Sequence, residues 1–334
     1  MGTPPPTGAG VLRAYRPRIT RDDFPPPPEF AGRDPDAAPS SHVGGLRAEL
    51  LLRDGRMALG RTYQQNPLRA ARPVDDGPGT PGLLYLMNST AGLLDGDGQW
   101  VDLDVGPGVR GFVTNQSAGR VHPCPLGHAA ARFDLHLAPG AVLCALPGPT
   151  IPFAGSRFHQ RTTLRLEPGA AVVWGDILLP GRTHYARAPE RFRVDRIVQE
   201  LRVERGGTLV HHERLAWQGP WDEDEIRWHF ADAEAAAALF ISGDVPDSLL
   251  PAADGLAVAP QATAAGDTCV RLLGRDPERL IAATARLALT AAARLAGDPA
   301  PWFIDGTALA ASHWFSPIPH AGPAEGRPES GGHP

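Results

Sequence analysis

Carboxylates standing where the surrounding residues disfavour them are the first chemistry this sequence offers. Residues 170–179, AAVVWGDILL, form an apolar run that predicts a buried strand, and Asp176 interrupts it. An ionised side chain in such a strand is costly unless it is paired, hydrogen-bonded or set against a wet passage. Two uses satisfy that condition here. Asp176 is either a structural group, bonded to backbone amides or paired with an arginine such as Arg182, or it lines an interior route. Glu213 poses the same question within residues 209–217, LVHHERLAW, where Arg214 is the adjacent cation. A third group, Asp95 and Asp97, lies among Gly92, Gly96 and Gly98 in and just after STAGLLDGD, residues 89–97. On an extended chain these two aspartates project from one face. A polar loop between strands accounts for the same residues.

Nitrogen and sulfur donors are less well arranged. His211 and His212 are adjacent, so on a strand they face opposite sides and do not readily share an ion. His122 and Cys124 have a ligand-like spacing, but Pro123 and Pro125 flank it. Each of these is expected to be solvated or structural, with a transient metal contact as the lesser alternative. Cys124, Cys144 and Cys269 are widely spaced and odd in number, which argues against a disulfide framework and a zinc knuckle. Asp102 and Asp104 alternate with Val101, Leu103 and Val105, as on the wet face of a strand. No phosphate-binding loop, nucleophile elbow, zinc-protease or dinucleotide motif occurs, which predicts a chain that is not an enzyme.

The elements that must position these groups are mostly strands. Residues 46–52 and 57–63 flank Asp54-Gly55, a hairpin signal. An alternating strand then runs into a Pro-Gly turn three times, at Pro107-Gly108, Pro139-Gly140 and Pro168-Gly169, and an apolar strand leaves each turn. Self-similarity at a spacing of roughly 30 residues suggests stacked β layers. Recurrent hairpins in a sandwich give the same pattern. Residues 198–204 and 208–215 form another hairpin around the turn at 205–207. One strong helix spans 276–296, with Asp276 as N-cap, Pro277 in the first turn and Gly297 as stop. Its stripe of Ile281, Ala285, Ala288, Ala292 and Leu295 is expected to dock on the β body or on a partner. Residues 231–241 are ambiguous between helix and strand.

The chain has 334 residues, a net charge of −5 and a pI near 6.2, with no electrostatic footprint for nucleic acid. All its basic side chains except histidine are arginines. It carries no apolar stretch of about 18 residues and is expected to be soluble and cytoplasmic. Residues 1–43 hold two proline runs, and these residues and the tail 320–334 are expected to be disordered. Residues 44–319 are expected to form one β-rich domain.

Four segments, taken in order, resemble the urease accessory protein family UreD, also called UreH. They are STAGLLDGD, VTNQSAGRVHP at 113–123, LPGPTIPF at 146–153 and WGDILLPGR at 174–182. The resemblance covers about residues 46–295 and is diffuse after Trp217. Ala91 stands for a family glycine, Asn115 for a threonine and Arg120 for a lysine. Pro189 precedes Glu190 where the family tends to have glycine, and extra residues follow Gly181-Arg182. The resemblance implies a mainly β fold, a β-helix-like stack of mostly antiparallel strands with one or two C-terminal helices. It implies that Asp97, Asp176 and Glu213 line a route for Ni²⁺ in transit toward urease, with no stably bound cofactor. Asp95, Glu190, His122 and Cys124 are weaker candidates. Gly92, Gly96, Gly181 and Arg182 would shape the local backbone, and Ile281, Ala288 and Leu295 are candidates for a partner contact. The implied partners are UreF, the GTPase UreG, to which GTP hydrolysis would belong, and the urease apoprotein. Oxygen ligands hold a nickel ion less firmly than imidazole or thiolate would, which suits transfer. The alternatives are a metal-dependent hydrolase on a β-solenoid, using Asp97, Asp176 and a histidine, and an interaction module for another metalloenzyme.

Overall fold

Each Pro-Gly turn lies against the next one. The computed structural model describes residues 18–38, 41–183, 190–252 and 254–303. Gly108, Gly140 and Gly169 all have positive φ, and the amide of Gly108 is near the position a side chain on Gly140 would take. Gly140 stands to Gly169 in the same way. Around these turns the chain forms β1 (Val43–Arg53), β2 (Arg56–Gln65), β3 (Leu68–Ala70), β4 (Gly82–Asn88), β5 (Gly98–Val105) and β6 (Arg110–Asn115). It continues through β7 (Gly119–Val121), β8 (Ala129–Leu137), β9 (Val142–Leu146), β10 (Pro149–Pro152), β11 (Arg157–Leu166) and β12 (Ala171–Leu178). Last come β13 (Arg196–Arg205), β14 (Thr208–Gln218), helix α1 (Glu223–Phe230), β15 (Ala235–Ile241), β16 (Leu256–Ala262), β17 (Thr268–Gly274) and helix α2 (Pro277–Leu295).

Two sheets result. The first runs β14-β13-β11-β8-β5-β1-β2, and the second runs β16-β17-β15-β12-β9-β6-β4-β3. From β4 to β13 the longer strands alternate between the sheets, so strands separated by one layer of chain become neighbours. The repeat therefore aligns in register: Val101 pairs with Phe133, and Phe133 with Thr162. Neighbours in this central region are parallel, and antiparallel pairing is confined to the margins. The expectation of mostly antiparallel strands is corrected. Alternating polarity along a strand reports which face is buried, not the direction of the neighbour.

The fold is sheet-dominated because both faces of the second sheet are covered. Toward the first sheet it presents Leu84, Val113, Leu143, Val172 and Trp174, which meet Leu46, Leu103, Leu135 and Leu164. Toward α2 it presents Leu83, Phe112, Val173, Ile177 and Leu239. Burial on both faces explains why residues 170–179 read as a continuous apolar run. It also fixes where Asp176 points. Sharing parity with Val172 and Trp174, it faces the space between the sheets.

Helix α2 begins at Asp276, whose carboxylate accepts from the amides of Glu278 and Arg279. Ile281 and Ala288 are buried against the second sheet, and Leu295 packs on the same cluster half-buried. These three side chains belong to the β body, so their assignment to a partner contact is corrected. Residues 235–241 resolve as strand, and α1, with Asp222 closing a capping box, lies just before them. Among the described residues, no helix is long and apolar enough to cross a membrane.

The expected disorder of residues 1–43 is corrected for 18–38. This arm carries three short 3₁₀ turns and buries Ile19, Phe24 and Phe30. Ile19 and Phe24 pack on Trp100 and Ala130 at the outer face of the first sheet, and Phe30 stacks on His128 at 4.6 Å. Glu29 pairs with Arg214, and Arg132 donates to the Asp23 carbonyl. Residues 1–17 and the tail 320–334 lie outside the described residues.

Candidate functional site

Asp176 sits at the wall shared by two cavities, each partly open to solvent. One, of about 190 Å³, lies between β13–β14 and β12–β15–β17, lined by Trp174, Leu201, Leu215, Trp217, Phe230 and Phe240 among others. The second, of about 80 Å³, runs from Asp176 and Gln160 toward Gly92, Asn115 and Arg120. Asp176 and Gln160 line both. Gln160 Nε2 donates to Asp176 Oδ1 at 2.5 Å, and Trp174 Nε1 donates to Oδ2 at 2.7 Å. Both donors are neutral. Burial, joined by a smaller contribution from the nearby Glu213 charge, pushes the carboxyl up to about 6 against these two hydrogen bonds. Asp176 retains some accessible surface, and that surface faces the cavities.

The pairing with Arg182 does not occur. Arg182 instead grips Glu190: its Nε donates to Glu190 Oε2 at 2.8 Å, and a second guanidinium nitrogen reaches the other oxygen. Glu190 also accepts from the Ala154 amide at 3.1 Å. Arg182 holds its carboxyl below the ordinary value despite burial. Gly181 has φ +117°, and a Cβ there would run into the Glu190 carbonyl, so the Gly-Arg step is a backbone clamp. Glu190 is thereby taken into that clamp and lines neither cavity.

Glu213 lines the larger cavity with Asp176. Its cation is Arg271 of β17, at 2.5 Å, not Arg214. Neighbours along a strand face opposite sides, and Arg214 accordingly reaches the arm at Glu29. Burial alone would raise the Glu213 carboxyl, but His211 and Arg271 outweigh it and hold it below its ordinary value. His211 Nε2 lies 3.8 Å from Glu213 Oε2 on the same strand and, across the gap between the sheets, 3.7 Å from Cys269 Sγ. Ligand atoms of these three residues all fall within 4.8 Å of one another. Cys269 and then Glu213 push the His211 imidazole up to about 9.

The remaining candidates do not join this site. Asp97 is 1% exposed and accepts the amides of Leu94, at 2.8 Å, and His42, at 2.7 Å. Burial raises its carboxyl against those bonds, and it lines neither cavity. Asp95 stands in a turn rather than an extended chain, closed by Asp97 N donating to Leu94 O. Its two oxygens accept from Leu126 and Gly127, so the two aspartates do not converge. Gly96, also in that turn, lies against the Pro35 carbonyl of the arm, and Gly92 against the Arg120 carbonyl beside the smaller cavity. Cys124 is buried, donates to the His122 carbonyl and is pushed up to about 11 by burial. The His122 ring packs edge-on against Phe153, so the two are not a ligand pair.

The profile of the UreD urease accessory protein family matches residues 42–303. This chain belongs to the UreD family. Among relatives, urease accessory protein UreD 2 of Streptomyces griseus subsp. griseus is 32% identical over 276 residues, covering 78% of this chain and 92% of its own length. Urease accessory protein UreD of Acetivibrio thermocellus is 32% identical over 160 residues, 48% of this chain and 60% of its own. UreD of Deinococcus radiodurans is 38% identical over 145 residues, 42% of this chain and 51% of its own. The matched stretch thus spans little more than half of the latter two relatives.

Within this UreD chain, Asp176 and Glu213 share a cavity and Asp97 does not. What sequence reasoning missed is the pairing of His211 with Glu213 rather than with His212. Residues two apart on a strand share a face, and that signal was present in LVHHERLAW. Cys269 is 58 residues from His211, on the other sheet, and nothing local announces it.

Proposed function

We propose that this chain serves urease maturation as a scaffold and nickel conduit, acting in the cytoplasm with UreF and UreG on the urease apoprotein. The observation that carries the reading is Asp176. It is a carboxylate on the wall common to two partly open cavities, and it is held by neutral donors with no cation bonded to it among the described residues. A buried carboxylate without a counter-ion is unfavourable for folding, so a divalent cation passing through would meet an unneutralised oxygen ligand. Glu213 in the same cavity supplies a second carboxylate, paired with Arg271. Membership of the UreD family, whose relatives are urease accessory proteins, supports a role in urease assembly. The hydrolase alternative is weakened because both oxygens of Asp97 are occupied by amides outside the cavity.

The test is to co-express urease subunits with UreF and UreG in a host without UreD, with and without this chain, and measure nickel per purified urease. The chain should raise the nickel content. Asp176→Asn should keep the chain soluble and in complex while lowering that content. Equal nickel with and without the chain refutes the proposal.

A further inference from the structure

We propose that His211, Glu213 and Cys269 form a binding site for a divalent transition ion at the edge of the larger cavity. Its geometry comes from strand alternation on two sheets. His211 and Glu213 share the inward face of β14, and Cys269 and Arg271 share one face of β17. Nitrogen-to-metal bonds of about 2.0–2.1 Å and sulfur-to-metal bonds of about 2.3 Å, at tetrahedral angles, separate ligand atoms by roughly 3.5 Å. The observed 3.7 Å and 3.8 Å from His211 Nε2 to Cys269 Sγ and Glu213 Oε2 need adjustments of only a few tenths of an ångström. The residues are neither sealed off nor widely exposed: the His211 side chain is 16% accessible, Glu213 29%, and Cys269 is buried.

The donor set selects the ion. Imidazole and thiolate favour nickel, cobalt, zinc or copper, and disfavour magnesium and calcium, which prefer oxygen. Three protein ligands leave at least one position for water or an incoming ligand, unlike the closed four-ligand shell of a structural zinc. Arg271 acts as the resident counter-ion. Its guanidinium neutralises Glu213 and its side chain is 48% exposed, so it has room to withdraw when the ion arrives and the protons of Cys269 and of the His211 imidazolium leave to solvent. The capacity to bind metal stands apart from the function proposed above; only the site's place on a nickel route rests on it.

The experiment titrates the purified full chain with Co²⁺ and follows the near-ultraviolet thiolate-to-cobalt absorption, then displaces Co²⁺ with Ni²⁺. The other two cysteines are fully buried, so the band reports on Cys269. We expect one equivalent in the wild type and no band in Cys269→Ser. His211→Gln should weaken binding by more than the tenfold that loss of an outer-shell partner typically brings. It also keeps the test decisive if the serine variant fails to fold. Absence of the band in the wild type, or equal affinity in His211→Gln, overturns the site. In the co-expression assay, lower urease nickel with Cys269→Ser supports placing the site on the route. Unchanged nickel removes it from the route while the cobalt result still stands. If the wild-type chain itself fails to raise urease nickel, the proposed function falls and the site does not.

Discussion

Replacing Asp176 with asparagine removes the charge while nearly conserving the shape. Burial lifts this carboxyl from an ordinary 3.8 to about 6. Each tenfold change in acidity corresponds to about 1.4 kcal/mol, so the displacement is worth about 3 kcal/mol. The sign follows from proton counting. Between 3.8 and about 6 the folded chain holds a proton that the unfolded chain has released, so stability falls as pH rises through that window. It is highest below the window, and above it the full penalty applies. Asparagine escapes that penalty but turns one amide nitrogen toward either Gln160 or Trp174, both donors. Losing one such hydrogen bond costs about 1–3 kcal/mol. The variant should therefore be less stable than wild type near pH 4, and equal or up to about 2 kcal/mol more stable near pH 7. The assay is urea unfolding of both proteins at several pH values between about 4 and 7.5, with folding free energies compared by linear extrapolation. The difference between the two proteins should swing by about 3 kcal/mol across the series. Parallel stability curves would refute the argument that Asp176 is desolvated inside the cavities.

Phe30→Ala should cost about 3 kcal/mol if the arm remains docked; if the arm detaches instead, brief proteolysis should cut within residues 18–38 of the variant and leave the wild type intact. Ala288→Leu should overpack the face between α2 and the second sheet and lower stability by about 1–3 kcal/mol in urea unfolding; an unchanged midpoint would mean that this face has room to spare.

Much of the framework was legible because turn chemistry is local. Asp54-Gly55 marks the β1–β2 hairpin, and the Pro-Gly steps mark the stacked turns that hold Val101, Phe133 and Thr162 in one row. The cap at Asp276 marks α2. Parallel pairing was not legible, because it depends on which strands cross to which sheet. The arm was hidden by composition: proline suggests an unfolded segment, yet proline also restricts the unfolded chain. Ile19, Phe24 and Phe30 then suffice to seat it on Trp100, Ala130 and His128. At the site, Asp176 was visible as a misfit in an apolar strand. The partners of Glu213 were not, since Cys269 and Arg271 reach it from the opposite sheet. Proximity in sequence suggested Arg214 and Arg182; strand alternation turns Arg214 toward the arm, and Arg182, in the loop past the end of β12, takes Glu190 instead.

Hairpins close the first sheet at both edges, β1–β2 on one side and β13–β14 on the other, while every strand between them follows the same Pro-Gly step. The size of such a molecule changes in whole steps, not residue by residue. A segment of roughly 30 residues gained beside β8 and β9 would add one strand to each sheet and move the two hairpins apart. The chamber walled by β11–β15 and β17 would keep its lining, because the added layer falls outside it. A few residues lost within a step would instead shift one turn out of line with its neighbours and break the row on both sheets at once. Variation in length among such chains is therefore expected to come in multiples of a layer, with smaller insertions confined to the loops outside the rows.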